Sequence, residues 1–271
     1  MSEEQQAVAP SAPAVNPQTL FSQVLVAAEQ DNVEAMLAVG ELYEKGLGVA
    51  KNFTKALTWY EKAADASNGE AAFRTGLCYE IGIGAVADLT KAITAYNRAM
   101  SLGSAKATHK IAIFHLGGQA EAHGLTKDVA KGLELLKQAA KAGEGAAYNT
   151  IAMIFLHGQF GQKADRDKAI KIFAGSAQTG NLEGMKNLAL LLAEENQPQA
   201  ALRWAIIAQS GGLQAPELTR LVANLRGQAG GEANLQKAVD GARQWLEGYR
   251  KRRAQVAAPE GPPDAENAQG T

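Results

Sequence analysis

The sequence has little of what would stabilise or export a small secreted protein. Only one of its 271 residues is a cysteine, Cys78, so no disulfide bond can form within the chain. The first ten residues, MSEEQQAVAP, contain neither the basic start nor the apolar stretch of a secretory signal. The longest purely apolar runs, such as Leu188 to Ala193, are far too short to cross a bilayer. We therefore expect a soluble, cytoplasmic protein without a transmembrane segment.

Aromatic side chains are also scarce, at 6 % of the residues, although apolar residues as a whole reach 46 %. Alanine and glycine must therefore supply much of the packing, which suits helices in close contact. The net charge is only −1, which argues against a basic nucleic-acid-binding protein, and we expect no nucleic-acid partner. Positive charge is concentrated in one place, because residues 235–253 include six basic and two acidic side chains.

What the sequence does contain is a repeat with an offset of 36 residues in its first half. The motif Gly46-Leu47-Gly48 reappears as Gly82-Ile83-Gly84, with matching residues around it. The matching pairs include Gly40 and Gly76, Tyr43 and Tyr79, Lys55 and Lys91, and Tyr60 and Tyr96. A phosphate-binding glycine loop follows a strand and occurs once per site, whereas a turn that recurs with its surroundings indicates a repeat architecture. We therefore predict that these glycines connect helices and bind no phosphate.

Short polar side chains stand at regular intervals where helices should begin. Asn and Asp are good N-caps, because their side chains accept hydrogen bonds from the free amides of the first turn. The pattern predicts seven helix starts, at Asn16, Asn52, Asp88, Asp128, Asp165, Asn196 and Asn234. Left-handed glycines are expected at helix ends, at Gly69, Gly103, Gly143, Gly180 and Gly211.

Small residues recur within the second predicted helix of each interval, where two helix backbones would cross closely. They stand at Gly40, Gly76, Ala112, Ala152 and Ala189. A helix pair of this length cannot bury its own apolar stripe, but stacked pairs bury their stripes jointly. The sequence thus predicts an all-α fold, a right-handed α-solenoid of antiparallel helix pairs over residues 16–254. Caps are predicted at 16–34 and 234–254, and disordered tails at 1–15 and 255–271.

The repeat resembles a known family. The run from Ala35 to Ala64, with its Gly46-Leu47-Gly48 loop and its Lys55-Ala56 and Trp59-Tyr60 pairs, looks like the Sel-one-like repeat. This repeat is a relative of the tetratricopeptide repeat. The resemblance covers about Pro17 to Tyr249, although the fifth repeat loses the glycine loop and the sixth is degenerate. It implies a non-catalytic adaptor or scaffold that binds a partner protein or peptide in its concave groove.

In the tetratricopeptide relatives the first helix of each pair lines that groove. Here this is the helix that contains the small crossing residue, such as Gly40 or Gly76. Carried over by repeat position, the resemblance implies these lining residues: Glu34, Leu37, Glu41, Glu44, Phe73, Leu77, Glu80, Lys106, His109, Ile113, Asn149, Met153, His157, Lys186 and Leu190. Exposed apolar side chains flanked by charge suit a peptide or helix ligand. The alternative is that Phe73 and Leu77 simply pack against the next repeat.

Other features leave alternatives open. The segment 117–127 is either a binding insertion or tolerated surface length. The cluster Arg250, Lys251, Arg252 and Arg253 could contact an anionic membrane, nucleic acid or an acidic partner, or could only offset the dipole of the last helix. The four histidines lack metal-ligand spacing, so we expect no metal, no cofactor and no catalytic set. A second hypothesis is an enzyme on a solenoid frame that acts on cell-wall fragments.

Overall fold

The computed structural model describes residues 16–228 and 231–257, which form thirteen α-helices and no strand. The helices are α1 Pro17–Glu29, α2 Val33–Lys45, α3 Phe53–Asp65, α4 Gly69–Ile81, α5 Leu89–Ser101, α6 Ala105–Gly117, α7 Val129–Lys141, α8 Gly145–His157, α9 Arg166–Gln178, α10 Leu182–Glu194, α11 Pro198–Ser210, α12 Pro216–Gln228 and α13 Glu232–Ala257. Helices adjacent in sequence pack against each other in pairs. The predicted all-α, solenoid-type fold is confirmed. The predicted tails at 1–15 and 255–271 lie outside the described residues, apart from 255–257 at the end of α13.

Five of the seven predicted helix starts are confirmed. The side chains of Asn16, Asn52, Asp88, Asp128 and Asp165 each accept a hydrogen bond from an amide of the first turn. The first helices of the pairs have their own caps, which the sequence pattern did not cover. These caps are Asn32, Asn68, Ser104, Glu144 and Asn181.

The predictions at Asn196 and Asn234 are wrong. Proline favours the first helical position, so Pro198 sets the start of α11 and Gln197 takes the cap position, while Asn196 adopts a left-handed φ of 54°. Helix α13 begins at Glu232, so Asn234 lies within its first turn.

Three of the five predicted left-handed helix ends are confirmed, with φ between 84° and 88° at Gly103, Gly143 and Gly180. Gly69 is instead the first residue of α4, and the left-handed residue between α3 and α4 is Ser67. At the end of α11 the left-handed residue is Gly212, one position after the one predicted. A turn that needs one left-handed residue therefore takes whichever neighbour closes its hydrogen bonds.

The glycine loops are structural connectors. Gly46 and Gly82 are left-handed C-caps of α2 and α4. The second glycine of each loop packs against the start of an earlier helix, because a Cβ on Gly48 would lie 2.0 Å from the carbonyl oxygen of Pro17. A Cβ on Gly84 would similarly lie 2.4 Å from the carbonyl oxygen of Phe53. No side chain fits there, so these loops must have glycine for packing as well as for backbone conformation.

A recurring backbone hydrogen bond holds each loop in place. The amide of the cap residue donates to the carbonyl of a residue near the end of the preceding helix, as from Asn52 to Tyr43 at 2.9 Å. This residue has an aromatic ring, and we call its place in the repeat the aromatic position. The same bond joins Asp88 to Tyr79, Asp128 to His115 and Asp165 to Phe155, at 2.8 to 2.9 Å. In three of these loops the lysine three residues after the cap lies over the ring: Lys55 over Tyr43 at 5.4 Å, Lys91 over Tyr79 at 5.0 Å and Lys168 over Phe155 at 3.6 Å. This contact explains why lysine recurs at that position.

Contacts between residues divide the chain within α7 into two units, one ending at Leu135 and the other starting at Leu136. In the first unit the predicted helix crossings are confirmed, since Gly40 and Gly76 lie directly against the rings of Tyr60 and Tyr96. Both rings are almost completely buried.

In the second unit α13 packs against α11. Ala238 and Ala242 are buried in the core cluster of this unit. Trp245 meets Trp204 edge-on, with ring centroids 5.5 Å apart, and stacks on Tyr249. None of the helices in the described part of the chain is both long enough and apolar enough to cross a membrane.

Candidate interaction face

The first helices of the repeats in the first unit, α2, α4 and α6, are linked by a ladder of ion pairs. We call the surface on which these pairs lie the first-helix face. At its centre, Arg74 of α4 reaches Glu41 of α2 at 2.8 Å and Glu70 of its own helix at 3.2 Å. The next link joins α4 to α6, where Lys106 contacts Glu70 at 3.0 Å. Most charges on this face therefore already have partners.

Two buried tyrosines extend the ladder into the core. The hydroxyl of Tyr60 donates a short hydrogen bond to Glu44, and that of Tyr96 does the same to Glu80. Burial, followed by the hydrogen bond to the carboxylate, raises the pKa of both tyrosines well above the usual range. A cation completes each set, since Lys110 contacts Glu80 at 2.9 Å. Arg74 contacts Glu44 at 3.4 Å in the same way. In each set the tyrosine hydroxyl therefore holds the carboxylate in place, and the cation balances its charge.

Apolar side chains lie among these paired charges. Phe73, Leu77 and Ile113 are each half-buried. Phe73 also contacts the next repeat, because its ring lies 5.7 Å from that of Tyr96 and the ammonium of Lys106 lies 5.6 Å from its centroid. Leu77 lines a small cavity of about 110 Å³ beside Tyr60. Both sequence-based alternatives thus have support, since these side chains pack inward on one side and reach solvent on the other.

The remaining predicted residues of the first unit lie on the same three helices. Glu41, Glu80 and His109 are half-buried, and Lys106 is exposed. All the predicted residues of this unit thus lie on the first helices of its three repeats.

The second unit carries its own, less charged version of this face on α8, α10 and α12. Asn149 accepts a hydrogen bond from Asn187 at 2.9 Å, which links α8 to α10. Lys186 pairs with Glu183 at 2.6 Å and with Glu217 of α12 at 3.3 Å. Met153 is half-buried against the core cluster.

The lengthened loop of the third repeat is held against its neighbours. It contains a 3₁₀ turn at Glu121–His123, and His123 forms a hydrogen bond with the hydroxyl of Thr90 at 3.0 Å. His115 occupies the aromatic position, is buried, and its Nδ1 donates to the carbonyl of Thr126 at 2.8 Å. Among the described residues, no three His, Cys, Asp or Glu side chains converge as a metal site would require.

The basic cluster lies at the end of α13. Arg250, Lys251 and Arg252 are exposed, and the side chain of Arg253 lies outside the described residues. Cys78 faces the interior of the first unit, where burial raises the pKa of its thiol to about 11. A thiol in this state is not a nucleophile at neutral pH.

Comparisons with known proteins agree with this architecture. The family model of the Sel1 repeat matches residues 33–68, 69–104, 105–144 and 145–178, just over half of the chain. A Sel1 repeat protein from Oxalobacter formigenes is similar in structure, with a TM-score of 0.67, 26 % identity, and coverage of 87 % of this chain and 94 % of that chain. A protective antigen of uropathogenic Escherichia coli strains, described as displaying an SLR fold, gives a TM-score of 0.59. That protein is 18 % identical, with coverage of 92 % of this chain and 69 % of that chain, so it supports the fold alone.

No curated protein sequence matches the chain. The four consecutive repeat matches coincide with the helix pairs from α2 to α9. The chain belongs to the Sel1 repeat family.

Proposed function

We propose that this protein is a non-catalytic interaction scaffold whose first-helix face binds a partner protein or peptide. Repeat solenoids of the Sel1 and tetratricopeptide type generally serve as protein-interaction scaffolds with extended binding surfaces. The proposed contacts in the first unit are Glu41, Phe73, Leu77, Glu80, Lys106, His109 and Ile113. In the second unit they are Asn149, Met153 and Lys186.

One observation supports this proposal most strongly. The charges of the first-helix face are already paired with one another, as Arg74 is with Glu41 and Lys106 with Glu70. The half-buried side chains of Leu77 and Ile113 between them therefore have the most to gain from a partner. A helix or extended segment with apolar anchors would bury these side chains without breaking the ion pairs.

The test is site-specific photocrosslinking of the full chain in its source cells. A benzophenone amino acid would be placed at Leu77 or Ile113, and at Thr58 or Asn97 as matched exposed controls on α3 and α5. We expect a discrete adduct from the first-helix positions and none from the controls. Equal adducts from both sets, or none from Leu77 and Ile113, would contradict the proposal.

A second candidate is contact of the α13 basic end with an anionic surface. The exposure of Arg250, Lys251 and Arg252 favours it. Sedimentation with anionic vesicles should then weaken as salt is added, and binding that is insensitive to salt would count against it.

A further inference from the structure

A separate cleft of about 450 Å³ lies between α3 and α5, with α4 as its floor. It belongs wholly to the first unit. Its walls include Glu61 and Asp65 of α3 and Arg98 of α5, and its floor includes Thr75 and Tyr79. The proposed interaction face does not use these residues.

The floor of the cleft contains a buried hydroxyl without a partner. Thr75 is only 6 % exposed, and its Oγ1 has no hydrogen bond. Three other helical threonines of this unit, Thr58, Thr94 and Thr108, donate to the carbonyl four residues earlier at 2.9 to 3.0 Å. A buried hydroxyl in this state destabilises the fold unless something supplies the missing bond.

The equivalent positions on α2, α6, α8 and α10 all have apolar side chains: Val39, Ile111, Ile151 and Leu188. The hydroxyl is therefore particular to the repeat that forms this cleft, and repeat packing does not require it.

Ala95 lines the same cleft as Thr75 and is small for its repeat position. The equivalent positions carry larger side chains: Trp59, Leu135 and Ile172. Trp59, one repeat earlier, is half-buried, and the ammonium of Lys62 lies 4.2 Å from its ring centroid. Ala95 lines the cleft and is far smaller than the indole at the same repeat position one repeat earlier.

The charged groups of the cleft have partners within it. The ammonium of Lys91 lies 5.0 Å from the ring centroid of Tyr79. The hydroxyl of Tyr79 donates to Glu61 at 2.6 Å, and Arg98 pairs with Asp65 at 2.6 Å. Arg98 stands at the repeat position of Lys62, the cation over the ring of Trp59. A guanidinium at this position favours a flat aromatic face beneath it. Paired charges, a cation above and a free hydroxyl below together suit an uncharged aromatic ring with one polar atom.

We propose that this cleft binds a planar aromatic group of indole size, with its heteroatom hydrogen-bonded to Thr75 and its face against Arg98. The group is either a free aromatic compound or the tryptophan side chain of a partner. Binding here does not depend on the first-helix face, so each proposal can fail alone.

The test uses 5-fluoroindole followed by ¹⁹F NMR, with amide chemical shifts of the full chain to locate the site. Ala95→Trp introduces in the cleft the residue that the preceding repeat has at this position, and Asn97→Trp adds the same ring at an exposed position that does not line the cleft. We expect saturable binding that shifts the amides of α4 and α5. It should weaken at least about tenfold in Ala95→Trp and persist in Asn97→Trp. Absence of shifts in α4 and α5, or equal binding by Ala95→Trp, would overturn the proposal.

A second comparison tests the hydrogen bond and does not depend on how Ala95→Trp folds. Thr75→Val should weaken indole binding by about threefold to tenfold, the value of one neutral hydrogen bond, and leave binding of indene unchanged. Equal effects on the two probes would refute the role of Thr75. N-acetyl-tryptophanamide distinguishes the source, since tighter binding than indole supports a partner side chain and weaker binding supports a free compound.

Discussion

Replacing Gly76 with alanine tests the helix crossing on which the first unit depends. A Cβ at this position would lie 2.5 Å from Cδ1 and Cε1 of Tyr96, whereas ordinary contacts begin at 3.4 Å. The ring of Tyr96 is completely buried, and its hydroxyl is bonded to Glu80. The ring therefore cannot move away without breaking that hydrogen bond or displacing Phe73, which lies 5.7 Å from it.

The expected size of the effect follows from three contributions. Overpacking a filled core costs about 1–3 kcal/mol. A displaced Tyr96 would leave a buried hydroxyl or carboxylate short of a partner, at about 1–3 kcal/mol. Alanine stabilises a helix interior by about 1 kcal/mol relative to glycine, which offsets part of the loss. We therefore expect Gly76→Ala to lower the free energy of unfolding by about 3 kcal/mol.

Urea denaturation followed by far-UV circular dichroism measures this change. Gly248→Ala in α13 is the matched control, because its new Cβ would meet only the end of Arg252 at an ordinary 3.4 Å. The control should be as stable as the parent chain or more stable. Hydrogen exchange should show lost protection in α4 and α5 of Gly76→Ala. The reasoning is refuted if Gly76→Ala gains stability together with the control.

Three further predictions concern single side chains of the first unit. Because the pKa of Cys78 is raised to about 11 in the folded chain, the contribution of its thiol to stability is present below about pH 9 and lost as the pH approaches 11. In a plot of the urea midpoint against pH, Cys78→Ala should therefore flatten the slope in this range. An unchanged slope would contradict that assignment. Arg74→Met leaves three carboxylates without their shared cation, so urea denaturation should show the free energy of unfolding lowered by about 1–2 kcal/mol. Arg166→Met, which removes an exposed ion pair, is the control and should leave that free energy unchanged. Thr75→Val should raise the free energy of unfolding by about 1 kcal/mol, and Thr108→Val should lower it by a similar amount, because only the hydroxyl of Thr108 is hydrogen-bonded. Changes of the same sign in the two variants would contradict this explanation.

The fold could be predicted because its determinants are local. The caps at Asn52 and Asp88 act within one turn, and a repeat makes such local signals visible by repetition. The prediction failed where neighbouring residues competed, as when Pro198 took the first helical position and moved the cap away from Asn196. It also failed at Gly69, because the left-handed turn there uses Ser67.

The candidate site was less predictable because its side chains act across repeats. The sequence placed Phe73 and Lys106 on the first helices, but their contacts with Tyr96 and Glu70 depend on how the helices cross. The cleft was missed altogether, although it has a signal. Thr75 and Ala95 each depart from the residue type of their repeat position, and they do so in the same repeat.

The same kind of comparison explains why glycine appears at only two of the five helix crossings. Where the crossing residue is glycine, the ring above it is a tyrosine and a glutamate follows four residues later. These sets are Gly40, Tyr60 and Glu44, and Gly76, Tyr96 and Glu80. Where the crossing residue is alanine, the other two positions are apolar. Within the second unit these sets are Ala152, Phe173 and Leu156, and Ala189, Ala205 and Ala193.

The physical link is the direction of the tyrosine side chain. To reach the carboxylate with its hydroxyl, the ring must lie across the crossing helix, and only a residue without a Cβ leaves room for it. An apolar side chain makes no such bond and can pack beside an alanine. Glycine is therefore required by the buried tyrosine–glutamate bond, so the polar sets can occur only in the repeats that retain it.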